Sequence, residues 1–321
     1  MKDVFTKLRE STIFKLIMGL GNNDLENIKK LAAIYSCSGA DMFDLTPNKE
    51  IFKSVCDGIE SQGLNPKNYS FCVSFSIGED KHGTKAYIEQ QKCVKCLKCI
   101  KQCPYKAIGF NKDQKLVSID QSKCIGCQKC HCSAIKYTKQ NLNIIDRIRD
   151  LAQTYKIDCI ELHISTKKIK DCEDIFKRIK KDFPDIPVGI CLSRLMFSDS
   201  KLNKIIKKFK ELNNGEKLII QADGLSMNGG TDGYSSTLQA AATAQIIEDK
   251  NNYIILSGGT NSKTTELLKL CDIKANGISF GSYGRLLVSE ELNNQEFWYN
   301  KQVFNSAVSK AKKLVDSVKV L

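Results

Sequence analysis

No stretch of the 321-residue sequence is both long enough and apolar enough to span a membrane. The amino-terminal run MKDVFTKLRESTIFKLIMGL has only a short apolar segment, broken by Lys15 and followed by no cleavage site, so it does not read as a secretory signal. Without such a signal, a chain of this length is not expected to be a disulfide scaffold, although it holds 15 cysteines. The sequence also lacks a basic motif interleaved with aromatics, which argues against nucleic acid as a partner despite a formal net charge of +13. Its 42% hydrophobic content and its length suffice for a full core and more than one domain.

Eight of the cysteines crowd into residues 92–135. The first half, KCVKCLKCIKQCPYKAI, places Cys93, Cys96 and Cys99 at two-residue gaps, then Cys103 followed by Pro104. This is the bacterial-ferredoxin run, in which three thiolates on one tight loop ligate one cubane and the fourth reaches the other. The second half, SKCIGCQKCHCSAI, gives Cys124, Cys127 and Cys130, then Cys132 after the single residue His131. The spacing predicts two [4Fe–4S] clusters, one on Cys93, Cys96, Cys99 and Cys132, the other on Cys124, Cys127, Cys130 and Cys103. Paired Cys-x2-Cys steps also make zinc sites, but zinc does not account for two triplets. The gap before Cys132 is one residue rather than three, and no proline follows it. Two outcomes stay open there: a loop that still reaches, or an atypical cluster with an incomplete fourth ligand.

The seven other cysteines are scattered, most of them in apolar runs, and read as small buried hydrophobes. Charge is concentrated in the cysteine stretch. Residues 84–140 hold twelve lysines against Glu89, Asp113 and Asp120. Two oxidised cubanes with their thiolates would remove roughly 2 charges each, leaving the stretch basic. The lysines either compensate cluster charge or form a docking face for an acidic redox partner.

Outside this stretch, short β-branched runs alternate with amphipathic helices. Strands are expected at 14–19, 40–46, 69–76, 159–165, 187–193, 217–222, 253–256 and 277–280. Helices are expected at 24–37, 48–62, 142–155, 171–183, 199–212, 235–248, 264–270 and 295–318. Eight strand–helix units in succession predict an α/β chain folded as a (β/α)8 TIM-like barrel, with a doubly wound open sheet as the alternative. The ferredoxin-like module interrupts the barrel after its third strand. The expected division is residues 1–83 for the first part of the barrel, 84–140 for the dicluster insert and 141–321 for the remainder.

A barrel carries its chemistry at the carboxyl ends of its strands. Glu161 and His163 share one face of the fourth strand, and Gln221 and Asp223 one face of the sixth, with Lys15 and Asp44 as companions on the first two. Such a set is either a self-satisfied buried network or a ligand site. Glu161 and His163 are the candidate proton donors. The loops after strands seven and eight carry Gly258, Gly259 and Thr260, then Gly281, Ser282 and Arg285. Together with Asp223 these are candidates for a phosphate-bearing ligand, with flavin mononucleotide the natural choice beside an iron–sulfur relay. Glycine also merely permits tight turns. The long loop DGLSMNGG after the sixth strand has the length of loops that cover ligands.

Segments along most of the chain resemble the light-dependent period protein A family. They are FKLIMG, LAAIYSCSGADMFDL, VSFSIGED and IELHIS, and most tellingly QADGLSMNGG, ILSGGTN and GISFGSYGRLL. The resemblance implies an iron–sulfur protein of photosynthetic bacteria, with two cluster sites, a cytoplasmic location and clock-input and core clock proteins as partners. The expected function is redox sensing or electron transfer as light or redox input to a circadian clock. The alternative is an enzyme, a flavin- and iron–sulfur-dependent barrel oxidoreductase acting on a small organic substrate. A third reading, a basic flavoenzyme directed at RNA, would show an RNA affinity falling steeply with salt.

Overall fold

The computed structural model describes all residues except 1–3, 11, 19–23, 77–83, 104, 105, 112, 122, 125–129, 131, 140–143, 165–168 and 226–231. The chain opens with a short helix, α1 (Val4–Glu10), which the hydrophobic pattern did not reveal. There follow β1 (Ile13–Ile17), α2 (Leu25–Cys37), β2 (Met42–Leu45), α3 (Lys49–Glu60) and β3 (Ser70–Ser76). Asp24 and Asn48 start α2 and α3 by accepting backbone N–H groups of the first turn, which is why the helices begin one residue later than expected.

After β3 the chain forms β4 (Thr84–Ile88), α4 (Lys98–Gln102), β5 (Ile108–Asn111), β6 (Leu116–Ile119) and β7 (Ile135–Lys139). β4 pairs with β7 and β5 with β6, both antiparallel, making two small sheets apart from the barrel. The alternation then resumes with α5 (Ile144–Ala152), β8 (Cys159–His163), α6 (Ile169–Asp182), β9 (Val188–Ser193), α7 (Asp199–Leu212), β10 (Ile219–Asp223), α8 (Tyr234–Ile246), β11 (Tyr253–Ser257), α9 (Thr264–Leu270) and β12 (Gly277–Phe280). Three helices close the chain, α10 (Ser282–Leu287), α11 (Ser289–Leu292) and α12 (Lys301–Lys319). The last was expected from residue 295. Asn300 caps it instead, accepting N–H from Gln302 and Val303, and the stretch before it turns.

Eight parallel strands form a closed barrel in the order β1-β12-β11-β10-β9-β8-β3-β2. Register between β1 and β12, Ile13 opposite Gly277, seals the ring. The doubly wound alternative is therefore excluded. Strand alternation sorts the side chains into two environments. Ile160, Leu162 and their counterparts on the other strands join the helices in the main apolar core. The inward set divides into layers. At the amino-terminal end, Ile13, Met42, Cys72, Cys159, Ile219, Tyr253 and Ile255 pack with Val4 and Leu8 of α1. That helix plugs the bottom of the barrel, so polar chemistry is confined to the layers above. β3 enters the inserted sheets from its carboxyl end, which puts the insertion point on the mouth side of the barrel.

Candidate functional site

The inserted segment builds its own small core. Ala86, Cys99, Ala107, Ile108, Val117, Cys124 and Ile135 are buried together, and Cys93, Cys103, Cys130 and Cys132 pack against them. Six of the eight motif cysteines thus converge on one apolar nucleus. Cys96 is exposed on the same loop, and Cys127 lies outside the described residues. Lys95 and Leu97, between the first ligand positions, have φ of 55° and 60°. Two non-glycine residues in the left-handed region cost about 1 kcal/mol or more each, so the surrounding fold holds this loop in a tight bend.

The sulfurs are met by donors. Ala86 N–H donates to Cys124 Sγ at 3.5 Å, Ala107 N–H to Cys103 Sγ at 3.3 Å, and the Tyr137 hydroxyl lies 3.1 Å from Cys130 Sγ. Burial pushes the Cys99 thiol up, and the neighbouring sulfurs of Cys132, Cys93 and Cys96 push the same way. Cys132 is thus near enough to Cys99 for the two sulfurs to interact. An apolar shell with N–H groups aimed at sulfur fits an iron–sulfur cluster, whose potential such bonds tune.

The second polar centre lies inside the barrel. Lys15 on β1 is fully buried, with Nζ 2.7 Å from Asp44 Oδ2 and 2.7 Å from Glu161 Oε2. It also donates to Gln221 Oε1 at 2.9 Å. Gln221 Nε2 donates to Glu161 Oε1 at 2.8 Å, and Ser279 Oγ to Gln221 Oε1 at 3.1 Å. Ser74 donates to Asp44. One layer nearer the mouth, His163 Nε2 is 3.1 Å from Glu161 Oε1. Cys191 accepts from Gln221 Nε2 at 3.7 Å.

Burial alone would discharge these groups, and their partners oppose it. Burial lowers Lys15, but Asp44 and Glu161 together hold its ammonium well above the usual range. Burial raises Glu161, yet Lys15 and His163 hold it down to about 2. Burial lowers His163, while Cys191 and Glu161 raise it well above its ordinary value. Burial pushes Asp44 up more than Lys15 draws it down, and pushes the Cys191 thiol up to about 12. The Lys15 ammonium thus lies between the Asp44 and Glu161 carboxylates, and His163 stands beside Glu161 on the side toward the mouth.

The rim is stitched between the segments that follow β10, β11 and β12. Asp232, before α8, accepts from Ser262 Oγ at 2.6 Å and from the Tyr283 hydroxyl at 3.1 Å. Asn261 Nδ2 donates to Gly233 O at 2.8 Å and Ser236 Oγ at 2.6 Å. Gly258 and Gly259 have φ of 72° and 82°. A Cβ on Gly258 would lie 2.3 Å from Asp223 Oδ1, and one on Gly259 would lie 2.1 Å from Ser236 O. Both glycines are used in close packing between loops. Gly259→Ala is accordingly expected to cost roughly 2–3 kcal/mol, from left-handed strain and overlap together. Urea denaturation of the variant beside the wild type checks this, and an unchanged midpoint would contradict it.

Of the sequence candidates, Glu161 and His163 come together in the buried network. Asp223 lies against Gly258 at the end of β10. Thr260 Oγ1 donates to Ser279 O at 2.5 Å. The segment Gly281 to Arg285, expected as a loop, is the cap and first turns of α10, because Tyr283 and Gly284 bury against the barrel and Tyr35 donates to Gly284 O at 2.7 Å. The part of the long loop at 226–231 lies outside the described residues. Sequence reasoning missed Ser74, Cys191, Ser279, Asp232, Asn261 and Tyr283. Cys191 was legible in principle: it alternates with Gly189 and Ser193 on the face of β9 that turns inward.

Among the described residues no helix is long and apolar enough to cross a membrane. Two family descriptions match the sequence: "Light dependent period A C-terminal domain" over residues 151–317, and "4Fe-4S dicluster domain" over residues 85–134. A curated relative, "Light dependent period A" from Synechococcus elongatus, is 25% identical over 330 residues, covering 95% of this chain and 91% of that protein. Among solved structures, a putative fructose-1,6-biphosphate aldolase from Coccidioides immitis superposes with a TM-score of 0.53 at 11% identity, covering 98% of this chain and 94% of that one. The YdjI aldolase from Escherichia coli K12 gives a TM-score of 0.50 at 7% identity, covering 97% and 92%. These two likenesses concern the barrel fold alone.

Proposed function

The chain belongs to the light dependent period A family, and from that footing we propose that it is a two-cluster iron–sulfur protein passing redox or light state into a circadian clock. The observation that carries this reading is the convergence of Cys93, Cys99, Cys103, Cys124, Cys130 and Cys132 on one apolar nucleus. Cys93, Cys96, Cys99 and Cys132 would hold one [4Fe–4S] cluster, and Cys124, Cys127, Cys130 and Cys103 the other. In this reading residues 84–140 are the cluster module, set between barrel residues 1–83 and 141–321. The protein acts in the cytoplasm, and its partners are acidic redox or clock-input proteins drawn to the lysines of the module.

Lys85 supports a tuning role for those lysines. Its Nζ donates to Gln121 O at 3.1 Å and to the backbone carbonyl of Cys124. Lys85→Met should lower the potential of the adjacent cluster by on the order of tens of millivolts, since a positive charge beside the cluster favours the reduced state. Potentiometric titration reads this, and a potential unmoved or raised would contradict it.

The deciding experiment is cofactor analysis of anaerobically purified protein. Roughly eight irons with matching sulfide and no flavin are expected. Stoichiometric flavin would overturn the reading in favour of a barrel oxidoreductase. In that case Gly258, Gly259, Thr260, Gly281, Ser282, Arg285 and Asp223 would surround its phosphate, with Glu161 and His163 as proton donors.

A further inference from the structure

The barrel interior holds a second constellation that the cluster reading leaves unused. Donor atoms of Glu161, His163 and Cys191 all lie within 4.8 Å of one another, and all three residues are buried. Glu161 and His163 stand two residues apart on β8, so both point inward, one layer apart. Register pairs His163 with Cys191 on β9, which brings the sulfur beside the imidazole. We propose that Glu161, His163 and Cys191 form a binding site for a borderline-soft divalent cation, zinc or ferrous iron, below the mouth of the barrel.

The donor set is the first argument. One imidazole nitrogen, one thiolate and one carboxylate oxygen suit zinc or ferrous iron and not magnesium or calcium. The spacing is the second. His163 Nε2 and Glu161 Oε1 are 3.1 Å apart, close to the edge of about 3.4 Å spanned by two ligands on a tetrahedral ion. Three protein ligands leave the fourth position toward the mouth, the arrangement of an open site.

The surroundings are the third argument. Glu161 Oε2 is engaged by Lys15 at 2.7 Å, which leaves Oε1 to face the imidazole. Gln221 Nε2 donates both to Glu161 Oε1 and to Cys191 Sγ, orienting two of the three donors from behind. A neighbouring trio, Asp44, Cys72 and Glu161, meets the same distance test but fails chemically. The Lys15 ammonium already occupies the space between its two carboxylates, 2.7 Å from each.

The site is independent of the clusters, and the test keeps the two apart. Anaerobically purified protein with its clusters in place is dialysed against chelator, incubated with Zn2+ and desalted, then zinc, iron and sulfide are counted. About one zinc per chain should be retained, with iron unchanged. Cys191→Ser and His163→Gln should each lower retention at least about tenfold, with iron content and the far-ultraviolet circular dichroism spectrum unchanged. Zinc retained equally by both variants, zinc gained only as iron is lost, or no retained zinc would each overturn the proposal. Co2+ gives a second readout on the wild type, requiring no variant to fold. A thiolate-to-cobalt charge-transfer band that persists in excess Mg2+ is expected. Absence of that band, or its loss to Mg2+, would also overturn the site.

Discussion

Cys132→Ala is expected to strip one [4Fe–4S] cluster and spare the other, lowering iron from roughly eight per chain to roughly four. The short gap between Cys130 and Cys132 makes this the sharpest test of the ligand pairing. If Cys132 were an ordinary buried thiol, its loss would change packing and leave iron unaltered. Cys132 packs against the same buried nucleus as Cys99, Cys93 and Cys130, so its loss touches the shell of the motif whichever cluster it serves. Iron and sulfide analysis with electron paramagnetic resonance of the reduced variant distinguishes the outcomes. Full iron and an unchanged spectrum would refute the pairing. Cys124→Ser should remove the other cluster by the same measure, so the two variants should lose complementary spectra.

Lys15→Met is expected to be the most damaging single change in the barrel. The substitution keeps much of the side-chain volume but deletes the cation that lies between Asp44 and Glu161, both about 1% exposed. Breaking a buried pair by removing one partner costs about 3–5 kcal/mol, here chiefly because Asp44 loses its ammonium while it stays out of water. For a chain of this size the melting temperature should fall by roughly 5–10 °C. Adding Asp44→Asn and Glu161→Gln to Lys15→Met should recover part of the loss, since neutral amides need no counter-ion. Calorimetry on the two variants checks both statements. A triple variant less stable than Lys15→Met would show that packing rather than charge dominates at this position.

Much of the barrel was legible because its signals are local. Residues 199–212, 264–270 and 277–280 appear as the elements α7, α9 and β12 with the bounds expected from periodicity. The inward set was legible where alternation carried a long polar side chain, as at Glu161 and Gln221. It was passed over at Cys191, where the alternation was present, and at Ser279, because small side chains look like core or turn residues in a one-dimensional pattern. The plug α1 was hidden because its buried positions, Val4 and Leu8, are only two and lie on a single short helix. The rim bonds from Asp232 to Ser262 and Tyr283 join residues 30 and 51 positions apart, beyond any local signal.

The sequence by itself determined the fold class and the cluster chemistry. A 3.6-residue period alternating with a 2-residue period is set by backbone geometry, and thiolate spacing is set by the size of a cubane. Only the tertiary structure decided which buried charges meet and which cysteines share one apolar nucleus. Those contacts depend on barrel closure, which brings Lys15 to Glu161 across 146 residues and orders their charges by a shared desolvation that no single segment feels.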